Sequence, residues 1–132
     1  MSYLLDTDIC IYVIKKQPSA AIARMQSCAL EDINISAITL AELELGVEKS
    51  KHQQTNRIAL LEFLSPFRIR DFDQPAAHAY AELRADLERR GLPIGPLDML
   101  IAAHAISLGL TLVTNSLREF RRIPRLKTDN WT

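Results

Sequence analysis

Short apolar runs closed by acids alternate along this chain with stretches whose apolar residues recur at helical spacing. Tyr3-Leu4-Leu5 ends at Asp6-Thr7-Asp8, the pattern of a buried central strand with acids at its carboxyl end. Ile9 to Lys15 predicts a helix with Ile9, Val13 and Tyr12 on one face, and Pro18 opens a second, from Ser19 through Cys28. Asp32-Ile33-Asn34-Ile35-Ser36 alternates polar and apolar residues and predicts a second strand. Ser36 then reads as the N-cap of a helix over Ala37 to Glu48. Within it Ile38, Glu42 and Leu45 share helical spacing, which puts Glu42 at the edge of an inward stripe.

Lys49 to Thr55 is a polar connector to an amphipathic helix from Asn56 to Leu64, followed by Pro66. Phe67 to Phe72 predicts a third strand, edge-like because of Arg68 and Arg70. Pro75 starts a long helix that runs to about Arg90 and stops at Gly91. A turn rich in Gly and Pro, Gly91 to Gly95, then leads into a helix opened by Pro96, apolar on most faces and stopped by Gly109. Leu110 to Thr114 predicts the fourth strand, Asn115 to Arg122 a loop or short helix, and Leu126-Lys127-Thr128 a last short strand.

Strands alternate with helices throughout, and no repeat or linker interrupts them. The pattern predicts an α/β fold in one domain over residues 1–132, a mainly parallel sheet with helices on both faces. Ligands of such sheets bind outside the carboxyl ends of the strands. That rule gives four acids one address: Asp6 ends strand one, Glu42 follows strand two, Asp98 begins the helix before strand four, and Glu119 follows strand four.

Composition narrows the classes of partner. Hydrophobic residues make up 48% of the chain and the formal net charge is zero, so any nucleic-acid contact must come from local patches. The one local basic cluster is Arg118, Arg121, Arg122, Arg125 and Lys127, either a solvated face or a grip on a phosphate backbone. Cys10 and Cys28 lack metal-ligand spacing and disulfide density, and read as small buried residues in a reducing cytosol. No basic region leads into a long apolar run at the start of the chain, so no signal peptide is expected. Leu100 to Val113 is too short to span a bilayer, and a cytoplasmic domain with no membrane partner is expected.

Four carboxylates in one pocket repel one another and raise one another's pKa unless a cation joins them. Oxygen-only donors suit Mg²⁺ or Mn²⁺, held through few carboxylates with several waters kept. Such an ion suits phosphodiester cleavage. The plain alternative for Asp98, so early in its helix, is capping. Thr114 and Ser116 have hydroxyls that either orient a water or ligand or cap a turn. His52, His78 and His104 are far apart in sequence and are expected at the surface or in the core.

The residues also match a known pattern. Leu4 to Tyr12, Ile35 to Leu43 with Gly46 and Ser50, Gly91 to Asp98, Leu112-Val113-Thr114-Asn115 with Glu119-Phe120, and Trp131 resemble the VapC-type toxins, PIN-domain ribonucleases of type II toxin–antitoxin modules. The resemblance runs nearly end to end and in the family's order. It implies a PIN-like three-layer α/β/α sandwich and a Mg²⁺-dependent endoribonuclease. A VapB-type antitoxin as partner and a homodimer are implied too. By motif position Asp6, Glu42 and Asp98 look like the family's core acids, with Asp6 and Asp98 the metal ligands. Glu119 takes the fourth acidic position, and Asp8, Thr114, Asn115 and Ser116 lie beside the set. Ser116 stands where the family often has Asn, and Asp8 where Asn is more usual. Similar toxins cut initiator tRNA in the anticodon loop, so the implied substrate is RNA, a tRNA by analogy. Arg118, Arg121 and Arg122 are then the candidates for holding it.

A receiver-like phospho-accepting module is the competing reading, since it shares length and alternating order. Its acceptor would be Asp71 or Asp73 after strand three, with Lys127 as its late lysine. That reading gives Glu42 and Asp98 nothing to do. A phosphohydrolase with Asp6 as nucleophile is a third, for which the chain is short.

Overall fold

The computed structural model describes residues 1–16 and 19–132; the helix opening expected at Pro18 lies outside the described residues. Strand β1 (Tyr3–Leu5) lies at the centre of the sheet. With β2 (Ile33–Ser36), β3 (Arg68–Arg70), β4 (Thr111–Val113) and β5 (Thr128–Asp129) it forms the order β3-β2-β1-β4-β5, every pair parallel. Leu4 sits opposite Asn34 and Leu112, and Leu5 opposite Ile35 and Val113.

Because side chains alternate across a strand, this register sorts the apolar residues into two cores. Tyr3, Leu5, Ile33, Ile35 and Val113 face one side. There they pack with residues of α1 (Thr7–Ile14), α2 (Ser19–Gln26), α3 (Ala37–Glu48) and α4 (Gln53–Leu64). Leu4 and Leu112 face the other side, under α5 (Gln74–Arg89) and α6 (Pro96–Leu108). The result is the three-layer α/β/α sandwich expected from the sequence. A fully buried leucine such as Leu4, Leu5 or Leu87 contributes about 1.5–3 kcal/mol, and the two cores together leave room for an unfavourable group at the sheet's rim. Among the described residues no helix is long and apolar enough to cross a membrane.

Several boundaries differ from those expected, each for a local reason. Helix α1 starts at Thr7 because the Asp6 side chain caps it, accepting from the Ile9 N–H at 2.9 Å. Helix α4 starts at Gln53, taking residues expected in the connector. Strand β5 pairs through Thr128 and Asp129, while Leu126 turns into the core. The inward stripe of α3 is Thr39, Leu43 and Val47; Ile38 is half-buried against the opposite core, and Leu45 is 58% exposed. Glu42 flanks that stripe. Cys10 is buried, whereas Cys28 is half-buried and donates to the Arg24 carbonyl.

Candidate active site

The chain steps outward from β1 to β2 and β3, then crosses back to lay β4 on the other side of β1. Connections leaving β1 and β4 therefore part in opposite directions, and a crevice opens at their carboxyl ends. Asp6 follows β1 there and Thr114 follows β4, with the Asp6 N–H donating to the Val113 carbonyl at 3.0 Å.

Asp6 is 4% exposed. Burial pushes its carboxyl up to about 7; the Thr114 hydroxyl and the Ile9 N–H pull it down, and the charges of Asp8 and Asp98 add to the rise. Asp98 is half-buried in the first turn of α6, and its carboxyl is also raised, first by burial and then by Glu119, Glu42 and Asp8. Helix α6 begins at Gly95 with no side-chain cap, so capping does not account for Asp98. The capping carboxylates are Asp6 on α1 and Asp73 on α5, where Oδ1 accepts from the Ala76 N–H at 3.2 Å.

Glu42 points from α3 to the start of α1, where the Thr7 hydroxyl donates to its Oε1 at 2.6 Å. Thr7 is a residue that the spacing of acids did not single out; the signal was a hydroxyl directly after Asp6. Thr114 is buried, and its Oγ1 accepts from the Ser116 N–H at 2.9 Å, closing the turn after β4. Asn115 donates to the Tyr12 hydroxyl at 2.6 Å, while its buried Oδ1 has no partner among the described residues. Ser116 precedes α7 (Leu117–Phe120), the short helix that carries Arg118 and Glu119 in exposed positions. Arg121 is exposed as well. Arg122 donates to the Pro93 carbonyl at 2.8 Å and accepts at its own carbonyl from Arg90 at 2.6 Å, so it clamps the turn that leads to Asp98.

The structure thus brings Asp6, Asp8, Glu42, Asp98 and Glu119 into one electrostatic neighbourhood. Among the described residues no three His, Cys, Asp or Glu side chains close into a ready-made cage. The donor set fits a hard divalent ion held through few carboxylates. It offers carboxylate oxygens, one of them on a buried acid destabilised by its own charge, and no imidazole; the Cys10 thiol, which feels the Asp6 charge, is fully buried and kept protonated by that burial.

An open groove of about 410 Å³ runs between α1, α3 and α4, lined by Ile11, Ile14, Leu43, Val47 and Leu60 and reaching Glu42. The three histidines lie apart: His52 and His78 are exposed and His104 is buried.

This topology and site define a parallel α/β/α domain with a carboxylate cluster at its switch point. The sequence matches the PIN domain family over residues 3–126. It is 48% identical to ribonuclease VapC2 of Rickettsia felis over 99% of this chain and 98% of that one. It is 40% identical to the tRNA(fMet)-specific endonuclease VapC of Shigella flexneri, over 100% and 99%. The solved VapBC2 of Rickettsia felis, bound to a DNA fragment from their promoter, contains a chain that superposes with a TM-score of 0.94 at 46% identity, each chain covered in full. The chain belongs to the PIN-domain family and, within it, to the VapC ribonucleases.

Family and topology together overturn the receiver reading. A receiver's order 2-1-3-4-5 sets its third strand beside the first, whereas β3 here is an edge strand separated from β1 by β2. Asp71 is exposed beyond that edge, and Asp73 is occupied as a cap.

Proposed function

We propose that this chain is a Mg²⁺-dependent endoribonuclease toxin, one domain over residues 1–132, that inhibits translation by cutting RNA in the cytoplasm. The observation that carries the reading is the buried Asp6 carboxyl at the switch point, within reach of the Asp98 charge, both carboxyls being raised by burial and by neighbouring like charge. A cation relieves that strain, and Mn²⁺ would serve as Mg²⁺ does.

In this reading Asp6 and Asp98 hold the ion and align the attacking water. What a bound Mg²⁺ supplies is an acidified water and neutralisation of charge at the scissile phosphate. Glu42, fixed by Thr7, orients water or supports the ion. Glu119 completes the acidic pocket, and Asp8 adds negative charge at its mouth. Thr114 steadies Asp6, while Asn115 and Ser116 shape the turn beside it. Arg118 and Arg121, exposed next to Glu119, hold the phosphate backbone that the acids repel, and Arg122 adds its free guanidinium donors to that grip.

The name of the Shigella flexneri relative supports the initiator tRNA as substrate; a cut in its anticodon loop is proposed from the family resemblance. The Rickettsia felis VapBC2 complex supports a VapB-type antitoxin as partner; a homodimer of the toxin is proposed from the family resemblance. An apolar antitoxin segment laid in the groove between α1, α3 and α4 would carry a basic residue to Glu42 and the other acids. Incubating the purified chain with total RNA, with and without Mg²⁺, and mapping the new ends tests the reading. Discrete cuts only with the metal are expected; intact RNA in both arms would refute it.

A further inference from the structure

We propose that His104 is a positioning residue for the Glu42–Asp98 pair, acting through a buried hydrogen bond to Ser36. The inference rests on the nuclease reading above. Helix α6 carries Asp98 in its first turn and His104 further along. Helix α3 carries Glu42 and starts at the Ser36 cap, whose Oγ accepts from the Ile38 N–H at 3.0 Å. His104 Nδ1 lies 2.8 Å from that same Oγ, and both residues have no exposed surface. One side-chain bond thus joins the helix of one acid to the start of the helix of the other.

With the Ile38 N–H on one lone pair of Ser36 Oγ, the assignment that gives the serine proton an acceptor has the neutral imidazole take it at Nδ1. The ring proton then resides on Nε2, which completes no full hydrogen bond among the described residues, while the Asp71 backbone lies close enough to the ring to favour a proton on it. Phe72 packs edge-on against the ring, with centroids 5.3 Å apart. Burial holds the imidazole neutral: it lowers the pKa, the nearby Asp71 backbone, Asp73 and Asp71 act against it, and Arg70 reinforces it. An apolar side chain would fill this site but leave the buried Ser36 hydroxyl proton without its acceptor. Packing alone therefore does not account for a histidine here, whereas a link to the α3 cap does.

RNA cleavage by purified wild type, His104→Asn, His104→Leu, Ser36→Ala and the Ser36→Ala/His104→Leu double variant tests the proposal, with thermal melts to confirm folding. The amide oxygen of His104→Asn sits where Nδ1 sits and still accepts from Ser36, so kcat stays near wild type. His104→Leu and Ser36→Ala each lower kcat by about 10- to 100-fold with KM for RNA unchanged. The double variant falls no further than the worse single one, because both remove the same link. In nitrogen NMR of the RNA-free protein, Nδ1 reads as an unprotonated acceptor and Nε2 as protonated.

A folded His104→Leu with wild-type kcat, additive losses in the double variant, or a ring protonated at Nδ1 would each overturn the proposal. Should His104→Leu fail to fold, His104→Asn and the tautomer still decide it. Asp98→Asn assayed alongside separates the two readings. If it cleaves as wild type does, the nuclease assignment falls and takes this proposal with it. If it is inactive and the His104 series is flat, only the positioning role falls.

Discussion

Thr7 donates its hydroxyl to Glu42 at 2.6 Å, so the residue directly after the buried Asp6 holds the acid that arrives from α3. Two candidate carboxylates, far apart in sequence, are thereby set by adjacent residues of one turn. Thr7→Val keeps the shape and removes the donor. It should lower kcat by about 10-fold, matching the roughly 1.5 kcal/mol of a hydrogen bond to a charged group, with Thr7→Ser close to wild type. RNA cleavage under saturating Mg²⁺ checks this, and an unchanged Thr7→Val rate would remove Thr7 from the site.

Asp98 sits in a helix start without a side-chain cap and among like charges. Asp98→Asn should therefore abolish cleavage and relieve growth arrest without weakening the fold. In metal-free protein its melting temperature should equal or exceed wild type, since one repelling charge is gone. A large drop would show that the carboxylate holds the helix together after all.

The Asp6 carboxyl titrates near 7 when folded, against an ordinary value of 3.8. Between those values the folded state binds the extra proton, so metal-free stability falls as pH rises from about 4 to about 7. The change amounts to a few kcal/mol at most. His104, held neutral by burial, works in the opposite direction just below its usual value of 6.5. The clean measure is thus the difference between wild type and Asp6→Asn, melted at pH 5 and pH 8 in EDTA. Asp6→Asn retains a good cap and should lose the extra destabilisation that wild type suffers at pH 8. Added Mg²⁺ should restore wild type at pH 8 far more than at pH 5, because the ion competes with the proton. Equal slopes for the two proteins would mean that Asp6 is ionised throughout.

Gly46 lies in α3 on the wall of the groove, and a Cβ there would meet nothing within 4 Å. Gly46→Ala should stabilise the protein by up to about 1 kcal/mol through helix propensity. Gly46→Phe should fill the groove, weakening co-purification with a VapB-type antitoxin at least 10-fold while leaving RNA cleavage intact. Full antitoxin binding by Gly46→Phe would place the partner on another surface.

Much of the fold was legible because period-2 and period-3.6 patterns are set by local burial. Tyr3-Leu4-Leu5 and Leu110 to Thr114 announced the central strands, and Ser36 announced the start of α3. Arg68 and Arg70 correctly marked an edge. The acids shared an address because parallel strands all present their carboxyl ends to one rim. What stayed hidden depends on contacts between distant residues. The inward stripe of α3 is decided by which residues α1 and α4 cover, and this turned Leu45 outward against its hydrophobicity. Thr7 shows its partner only once Glu42 is beside it, and His104 only once Ser36 is. Arg122 read as a phosphate contact, yet one of its donors is used by the Pro93 carbonyl across a turn no local pattern reveals.

The central claim is that Asp6 and Asp98 share one divalent cation. Crystals of the metal-free protein soaked in Mn²⁺, examined by anomalous scattering, test it directly. The account predicts a peak about 2.1–2.2 Å from an oxygen of each of the two carboxylates, absent in Asp98→Asn. Saturating Mn²⁺ with no peak there, or a peak bound to neither acid, would contradict it.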